Sequence, residues 1–151
     1  MHLVGRAPDG RHWVQQRSLA KANDPGLWDT LVGGMVPAGE SLAEALTRET
    51  WEEAGLEIAQ LRGLATGGRV TLRRPTDSGG GTGYVIEDID WYRCVLPEGR
   101  VPVNQDGEVA EFRLMTAGEL QGCLLQGEFT LEASLILAEA AGWLPLGATR
   151  G

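Results

Sequence analysis

Residues 34–56, GMVPAGESLAEALTRETWEEAGL, decide how the surrounding chain folds. Ser41 and Glu44 form a capping box, in which each side chain accepts a hydrogen bond from the other residue's backbone N–H, so a helix begins after Ser41. Gly55 stands where a residue in the left-handed conformation ends a helix. The stretch therefore predicts a loop followed by a capped helix of about four turns.

Three carboxylates share one face of this helix. Glu49, Glu52 and Glu53 stand at i, i+3 and i+4, which are neighbouring positions on a helix surface. Like charges at this spacing destabilise an isolated helix by roughly 0.2–0.5 kcal/mol per pair. A hard cation such as Mg²⁺ takes oxygen ligands and usually acts beside substrate phosphates. The spacing therefore indicates a cation site.

The helix is preceded by a predicted strand, residues 28–33, that runs into Gly33-Gly34. A glycine pair at the end of a strand is typical of a bulge or tight bend. It also permits close approach of the backbone to a ligand, because glycine has no side chain in the way. The sequence leaves both interpretations open.

The rest of the chain mixes strands and helices. Residues 75–83, PTDSGGGTG, are predicted to be a flexible loop. Strands are predicted at 3–6, 12–17, 69–73, 85–95 and 108–115, extended chain at 56–65, and helices from Thr116 to about Gln126 and from Leu131 to Ala141, closed by Gly142 and Pro145. We expect one α/β domain, residues 1–151, with helices layered on a mixed sheet.

The composition is that of an acidic globular protein, with 151 residues, 42% hydrophobic and 23% charged, and a formal net charge of −8. The negative charge argues against nucleic-acid binding. No apolar run approaches the ~20 residues of a membrane span, and the first residues lack the apolar core of a signal peptide. We therefore expect a cytoplasmic location and no membrane partner. Cys94 and Cys123 are predicted to be buried free thiols rather than a disulfide.

The pattern of fixed residues in 34–56 resembles the Nudix box, G-x5-E-x7-R-E-U-x-E-E-x-G-U, where U is a bulky aliphatic residue. Thr50 departs from that pattern where a larger aliphatic residue is usual, and we expect this to affect packing rather than chemistry. The fixed positions are filled by Gly34, Glu40, Arg48, Glu49, Glu52, Glu53 and Gly55, and the last U by Leu56.

The resemblance implies a Nudix α/β/α sandwich with a mixed β-sheet, in which the box forms a loop and helix. It also implies hydrolysis of a diphosphate linked to another moiety, with Mg²⁺ or Mn²⁺ as cofactor. The metal-ligand positions of the family are matched by Glu49, Glu52, Glu53 and the backbone carbonyl of Gly33. Arg48 matches the arginine that orients the box glutamates, and structural positions are matched by Gly34, Glu40 and Gly55.

A second resemblance covers most of residues 13–144. It is similar to the Nudix group associated with thiamine pyrophosphokinases, some of which are thiamine diphosphate-type phosphatases. Members of that group often carry a further N-terminal domain, so this chain is expected to be a short or trimmed form. The resemblance rests on Arg17-Ser-x-x-Lys21, Pro25-Gly26, Asp29, Leu96-Pro97, PVNQDGEVAEFRLM and GEFTLEASLIL.

Hydrolysis requires a carboxylate that takes the proton of the attacking water. Family members differ in which residue does this, and the box residues Glu52 and Glu53 are candidates. Outside the box we favour Glu108 over Glu111, because Glu108 is nearer the turn end of its strand. Weaker candidates are Glu87 and Asp88.

Arg17 and Lys21 are the candidates for binding the diphosphate of a small-molecule substrate, with a solvated surface role as the alternative. His2 and His12 lack partners at ligand spacing and are expected at surface or edge positions. Large aromatic residues either pack in the core or stack on an aromatic leaving group. Those aromatic residues are Trp13, Trp28, Trp91 and Tyr92.

The predicted function is therefore a hydrolase of a small organic diphosphate, with thiamine diphosphate or an analogue as the candidate substrate. The alternatives are a Nudix hydrolase of nucleoside di- or triphosphates or nucleotide sugars, and a non-catalytic ligand-sensing Nudix module. An isomerase of the isopentenyl diphosphate type shares the fold but needs a catalytic cysteine, and the cysteine–histidine motif is missing here. Many Nudix hydrolases are dimers, so the resemblance makes a homodimer the candidate assembly.

Overall fold

The computed structural model describes residues 1–76 and 83–143. Its strands are β1 His2–Arg6, β2 His12–Arg17, β3 Trp28–Asp29, β4 Val32–Gly33, β5 Arg62–Thr76, β6 Gly83–Val95 and β7 Val109–Met115. Its helices are α1 Leu42–Ala54, α2 Ala117–Leu125 and α3 Leu131–Ala140, with a 3-10 turn at Ile58–Gln60. No helix within these two ranges is long and apolar enough to cross a membrane.

The strands form one mixed sheet in which β1 is central. β1 pairs in parallel with β6 and antiparallel with β2 and β4, and β5 lies beyond β6. On the other side, β2 pairs with β3 and β7. The expected mixed sheet is confirmed, and the register places His2 of β1 opposite Trp91 of β6.

Residues 28–33 form two short strands, so the prediction of one continuous strand is wrong. Trp28–Asp29 pairs with β2, whereas Val32–Gly33 pairs with β1. The chain changes partners at Thr30, whose hydroxyl donates to the Val32 carbonyl oxygen (2.9 Å). The two short strands thus separate one end of β1 from one end of β2 and bring Gly33 and Gly34 to that end of the sheet.

Apolar side chains cover both faces of the sheet, which confirms the predicted α/β/α sandwich. One face packs Val14, Val70 and Trp28 against α2 and α3. The other packs Leu3 and Leu31 against α1. Each fully buried aliphatic side chain of this kind contributes about 1.5–3 kcal/mol to stability.

The predicted start and end of the box helix are confirmed. Ser41 Oγ accepts from the Glu44 amide (3.1 Å), and Gly55 ends α1 in the left-handed conformation with φ 64°. Thr116 and Thr130 cap α2 and α3 in the same way. Local hydrogen bonds therefore set the helix ends, as the sequence indicated.

The segment after α1 is more regular than predicted. Residues 56–65, predicted to be extended, contain the 3-10 turn before β5 begins. β5 and β6 are longer than predicted because they pair with each other from Arg62 to Thr76. Pro75, Thr76 and Gly83 of the predicted loop belong to these strands. The rest of that loop, residues 77–82, and the predicted helix-closing Pro145 lie outside the described residues.

Both histidines lie deeper than predicted. His12 is buried. Burial, and to a smaller extent the charge of Arg6, lower the pKa of His12 to about 4. His2 is half-buried, with Nδ1 2.7 Å from Thr30 Oγ1 and 3.4 Å from Asp29 Oδ1. The expectation of surface or edge positions is therefore wrong for His12, because the β2 strand faces the α2–α3 layer there.

Thr50, the departure from the Nudix pattern, is fully buried, and its hydroxyl has no hydrogen-bond partner among the described residues. A buried unpaired hydroxyl costs about 1–3 kcal/mol, so Thr50→Val, which keeps the shape, is expected to raise the free energy of unfolding by about 1 kcal/mol. Urea unfolding measures the change. Thr30→Val is the control, since it removes a hydroxyl that is bonded and should destabilise the fold. A loss of stability in Thr50→Val would contradict the description of the Thr50 hydroxyl as unpaired.

Candidate functional site

The glycine pair packs against side chains of the candidate site. A Cβ on Gly34 would lie 2.6 Å from Cδ and 2.7 Å from Oε1 of Glu49. A Cβ on Gly33 would lie 2.7 Å from the ring of His2. The sequence was compatible with two interpretations of the glycine pair, a tight bend and a close approach of the backbone to a ligand. The structure gives another reason for the glycines, which is that the Glu49 carboxylate and the His2 ring occupy the space that side chains would need.

Glu53 lies at the centre of the site, with only 5% of its surface exposed. Its Oε1 accepts from Gln15 Nε2 (2.6 Å) and, at 3.4 Å, from the Gly33 amide. Burial raises the pKa of Glu53 well above its ordinary value, and a hydrogen bond to the Glu49 carboxyl raises it further, although Gln15 opposes the shift. Two neighbouring carboxyl groups in a buried site disfavour double ionisation.

Arg48 binds three carboxylates at the outer side of this centre. Its guanidinium makes two bonds to Glu40, of 2.8 and 3.0 Å. Nη1 also donates to Glu49 Oε1 (2.7 Å) and to Glu52 Oε2 (3.2 Å). The arginine lowers the pKa of Glu40 chiefly through its side-chain hydrogen bonds. Glu40 is thus joined to Arg48, while Glu49 lies between Arg48 and the glycine pair.

The donor types suit a hard cation, since every candidate ligand is an oxygen. Within residues 1–76 and 83–143, however, no three acidic, histidine or cysteine side chains already stand at metal-binding spacing. Glu49 and Glu52 bond Arg48, and Glu53 bonds Gln15. Burial first, and the neighbouring Glu49 second, raise the pKa of Glu53, and a bound divalent cation would favour its ionised form. The carboxylate oxygens of Glu49, Glu52 and Glu53 therefore suit such a metal by their chemistry.

Arg17 ends β2 near Asp29, and Lys21 lies in the loop that follows the strand. Gln15 and Arg17 alternate onto the same face of β2, and Gln15 touches Glu53 there. Arg17 donates to the Asn23 carbonyl oxygen (2.8 Å) and lies 3.6 Å from Asp29. Lys21 Nζ donates to Glu108 Oε2 (3.0 Å).

The two outer base candidates separate in space. Glu111 bonds Arg113, and the Arg113 guanidinium stacks on the Trp28 ring at 4.7 Å. Trp28 belongs to the core layer under α2 and α3, on the sheet face opposite α1. Glu111 therefore points away from the box helix, whereas Glu108 precedes β7 beside Lys21. Glu87 and Asp88 lie on β6, near Arg74 and Thr71 respectively.

Sequence patterns did not identify Gln15 as a site residue or the function of Asp29 as a buried anchor. Burial alone would raise the pKa of Asp29, but His2, the Thr30 amide and Arg17 together hold it below its ordinary value. The only sequence signal was alternation along β2, which puts Gln15 on the face of Arg17. Of the predicted aromatic residues, Trp28 and Trp91 are buried in the core, while Trp13 and Tyr92 pack at its margin.

Both cysteines are free, as predicted. Cys94 is buried, and burial raises the pKa of its thiol to about 12. Cys123 is only partly buried, so that part of the prediction is wrong. A thiol with so high a pKa as that of Cys94 is protonated at neutral pH and is a poor nucleophile.

Comparison with known proteins finds relatives over most of the chain. The sequence model of the NUDIX domain matches residues 3–137. The Arabidopsis thaliana protein "Nudix hydrolase 24, chloroplastic" is 36% identical over 129 residues, 84% of this chain and 34% of that protein. The isopentenyl-diphosphate Delta-isomerase of Cutibacterium acnes is 34% identical over 110 residues, 68% of this chain and 51% of the isomerase. The chain thus spans about a third of the plant relative and about half of the isomerase.

A solved structure agrees at the level of the fold. The E. coli dihydroneopterin triphosphate pyrophosphohydrolase superposes with a TM-score of 0.64 and 21% identity, covering 91% of this chain and 90% of that one. At that identity the likeness establishes the arrangement of sheet and helices only. The layers and the box helix described above are therefore those of a known fold.

Proposed function

This chain belongs to the Nudix family, and we propose that it is a hydrolase that cleaves a diphosphate linkage in a small organic diphosphate with Mg²⁺ or Mn²⁺. The observation that carries the proposal is the packing of Glu49 and Glu53 together against Gly33 and Gly34. Repulsion between two carboxylates at this position is offset by a divalent cation. Arg48 supports the same arrangement, because it holds Glu49 and Glu52 on one side of α1.

Each residue then has a chemical role. Glu49, Glu52, Glu53 and the Gly33 carbonyl would hold the metal, which when bound neutralises charge on the transferring phosphoryl oxygens. Arg48 orients the box carboxylates, with Glu40 fixing its other edge. Arg17 and Lys21 bind the diphosphate at the end of β2.

The proton of the attacking water needs an acceptor. We assign it to Glu108, with the box residues Glu52 and Glu53 as alternatives. Glu108 is exposed and would exchange its Lys21 partner for water when Lys21 turns to a phosphate. Glu111 is disfavoured as the proton acceptor because it bonds Arg113, whose guanidinium stacks on the Trp28 ring.

We propose one favoured substrate and one alternative class of substrates. The motifs around Arg17, Asp29 and residues 102–115 favour thiamine diphosphate or an analogue. One structural neighbour is a dihydroneopterin triphosphate pyrophosphohydrolase, so nucleoside and pterin polyphosphates are the alternative substrates to be tested. Isomerisation of isopentenyl diphosphate, the activity in the name of one relative, is disfavoured by the buried, protonated Cys94 thiol.

A substrate panel with and without metal tests the proposal. We expect release of a monophosphate or phosphate from at least one diphosphate in millimolar Mg²⁺ or Mn²⁺, and none after chelation. Mg²⁺ should also raise the melting temperature, since a ligand at a hundredfold excess over its Kd stabilises the fold by about 2.7 kcal/mol. Glu98→Gln, an exposed residue in the turn after β6, is the control and should retain full activity.

Three results would contradict the proposal in different ways. Stabilisation by Mg²⁺ without turnover of any diphosphate would instead identify a ligand-sensing module. The absence of both stabilisation and turnover would show that the proposed site does not bind the metal. Turnover that survives chelation would show that the reaction does not use a dissociable metal.

A further inference from the structure

Glu53 is oriented by a different part of the molecule from the other two box carboxylates. Glu49 and Glu52 each accept a hydrogen bond from Arg48, which belongs to the same helix. Glu53 instead accepts a short bond of 2.6 Å from Nε2 of Gln15, a residue of β2. The orientation of the Glu53 carboxylate therefore depends on the sheet rather than on α1 alone.

The amide of Gln15 is itself held in one orientation. Its Nε2 also donates to the Leu31 carbonyl oxygen, at 3.2 Å. The side-chain amide of glutamine has two N–H groups, and the Leu31 carbonyl and the Glu53 carboxylate are both acceptors. Rotating the amide by half a turn would set its own oxygen against these two acceptors. The Leu31 carbonyl therefore fixes which end of the Gln15 amide meets Glu53.

Burial prevents water from taking the place of this contact. Gln15 is 4% exposed, and Leu31 and Glu53 are buried with it. A buried acceptor that loses its donor carries the full cost of its lost hydration. Leu31 lies between β3 and β4, so the contact joins three segments that are distant in the sequence. The position of Glu53 is thus set by how β2, the segment before β4, and α1 pack together.

Gln15 orients Glu53 without neutralising it. An amide carries no net charge, whereas the single positive charge of Arg48 is shared among the carboxylates that it bonds. A carboxylate held by an amide keeps its own charge for a cation. Residues that hold a metal ligand in place without touching the metal typically change metal affinity by about 10–100-fold when they are replaced.

The same strand connects Glu53 with the arginine assigned to the diphosphate. Gln15 and Arg17 are two residues apart on one face of β2, which corresponds to about 6.6 Å along a strand. Gln15 is paired with Asp29 of β3, and Arg17 Nη1 lies 3.6 Å from Asp29 Oδ2. β2 therefore supports both the buried box carboxylate and the basic side chain.

We propose that Gln15 is a positioning residue of the site, which fixes the Glu53 carboxylate for the divalent cation through its amide N–H. The inference rests on the proposed metal-dependent hydrolysis for the role of Glu53. Gln15 touches neither the metal nor the substrate and acts through Glu53. Arg48 does the same for Glu49 and Glu52 from the other side.

Gln15→Met tests this role, because methionine has the length of glutamine but no N–H group. We expect Mn²⁺ binding without substrate to weaken by about tenfold, measured from the electron paramagnetic resonance signal of the free ion. At saturating Mn²⁺, kcat should fall by about tenfold while KM for the diphosphate changes by less than about twofold. A purely structural role would lower stability without this separation of kcat from KM.

Gln16→Met is the matched control. Gln16 is the next residue of β2, points to the other face of the sheet and donates to the Gly26 carbonyl oxygen at 3.2 Å. The control removes a hydrogen bond of the same kind from the same strand without touching Glu53. It should lower the melting temperature and leave the Mn²⁺ affinity unchanged.

Gln15→Asn is a second variant at the same position. It keeps a polar amide at this buried site, so it should fold even if the methionine variant does not. Asparagine is one methylene shorter and does not reach Glu53. Its Mn²⁺ affinity should therefore fall as in Gln15→Met, and circular dichroism identifies which variants are folded.

The inference is overturned if a folded Gln15 variant binds Mn²⁺ as tightly as wild type, or if Gln16→Met loses as much affinity. A rise in KM with unchanged kcat would also overturn it, because Gln15 would then act in substrate binding. Mn²⁺ binding that depends on Gln15, without turnover of any diphosphate, would support the positioning role and contradict the proposed hydrolysis. Turnover that is unaffected by Gln15→Met would support hydrolysis and overturn the positioning role.

Discussion

Glu53→Gln is expected to lower kcat/KM by about 10³-fold while making the metal-free protein more stable. Activity falls because the substitution removes the charge that would bind the metal or accept a proton. Stability rises because a buried carboxylate beside Glu49 is replaced by a neutral amide of the same shape. The new amide can donate to the Glu49 carboxylate, and its carbonyl oxygen can still accept from Gln15.

The pH dependence gives this prediction its sign. The folded pKa of Glu53 is raised above its ordinary value of 4.5, so the folded state binds the proton more tightly than the unfolded state. The resulting stability is present at acidic pH and is lost as the pH rises through the folded pKa. The stability advantage of Glu53→Gln over wild type should therefore grow from pH 4 to neutral pH in chelator.

Urea unfolding at several pH values, with chelator and with Mg²⁺, measures the effect. Mg²⁺ should stabilise wild type at neutral pH much more than it stabilises Glu53→Gln. Glu52→Gln is the control for stability, because the Glu52 side chain is 45% exposed and should shift the unfolding free energy little. A Glu53→Gln protein that is less stable than wild type throughout this range would refute the buried-repulsion account.

Gly34→Ala is expected to lower kcat/KM by about 10²-fold with little change in melting temperature, because a displacement of about 1 Å at a catalytic group costs that much. The added Cβ would lie 2.6 Å from Cδ of Glu49, so the carboxylate must move. The obstacle is the end of a flexible side chain, and its movement need not disturb the backbone. Activity and metal affinity should thus fall together in a folded protein.

Two other glycines serve as controls for Gly34→Ala. Gly33→Ala meets the His2 ring, which Thr30 and Asp29 hold in place, so it should destabilise the fold. Gly118→Ala in α2 meets nothing within 4 Å and should stabilise the fold by about 0.5 kcal/mol with full activity. Steady-state kinetics and melting curves on the three variants measure the changes in activity and in stability separately. Full activity in Gly34→Ala would show that the position of Glu49 is not critical.

The parts of the fold that depend on local interactions were predictable. Ser41, Thr116 and Thr130 bond backbone groups three residues away, so their helix starts are written into the adjacent sequence. Alternation and turn residues located β1, β2 and β7 within a residue or two. The β5–β6 pair was underestimated, because a long two-stranded ladder depends on a partner that sequence periodicity does not identify.

Within the site, the sequence identified the box and its helix face but not the surroundings of each group. Glu49, Glu52 and Glu53 look alike in the sequence, yet Glu53 is buried on Gln15 while Glu52 is largely exposed beside Arg48. Burial decides which carboxylate has the raised pKa, and burial depends on β2 and β4. The sequence therefore named the ligands without ranking them.

Glu108 and Glu111 show the same division. They are three residues apart, and the sequence favoured Glu108 only by its nearness to a turn. The structure turns Glu111 towards Arg113 and Trp28 on the other face of the sheet. A strand alternates its side chains between two faces, and only the packed helices identify which face is which.

By itself the sequence determined the family motif, the helix caps and the oxygen chemistry of the site, since each of these depends on residues within one short stretch of the chain. Only the tertiary structure decided the change of strand partners at Thr30, the contact of Gly34 with Glu49 and the burial of Glu53 on Gln15. Each of these joins segments that are distant in the chain. Their free energy comes from packing and burial after folding, which no local pattern of residues contains.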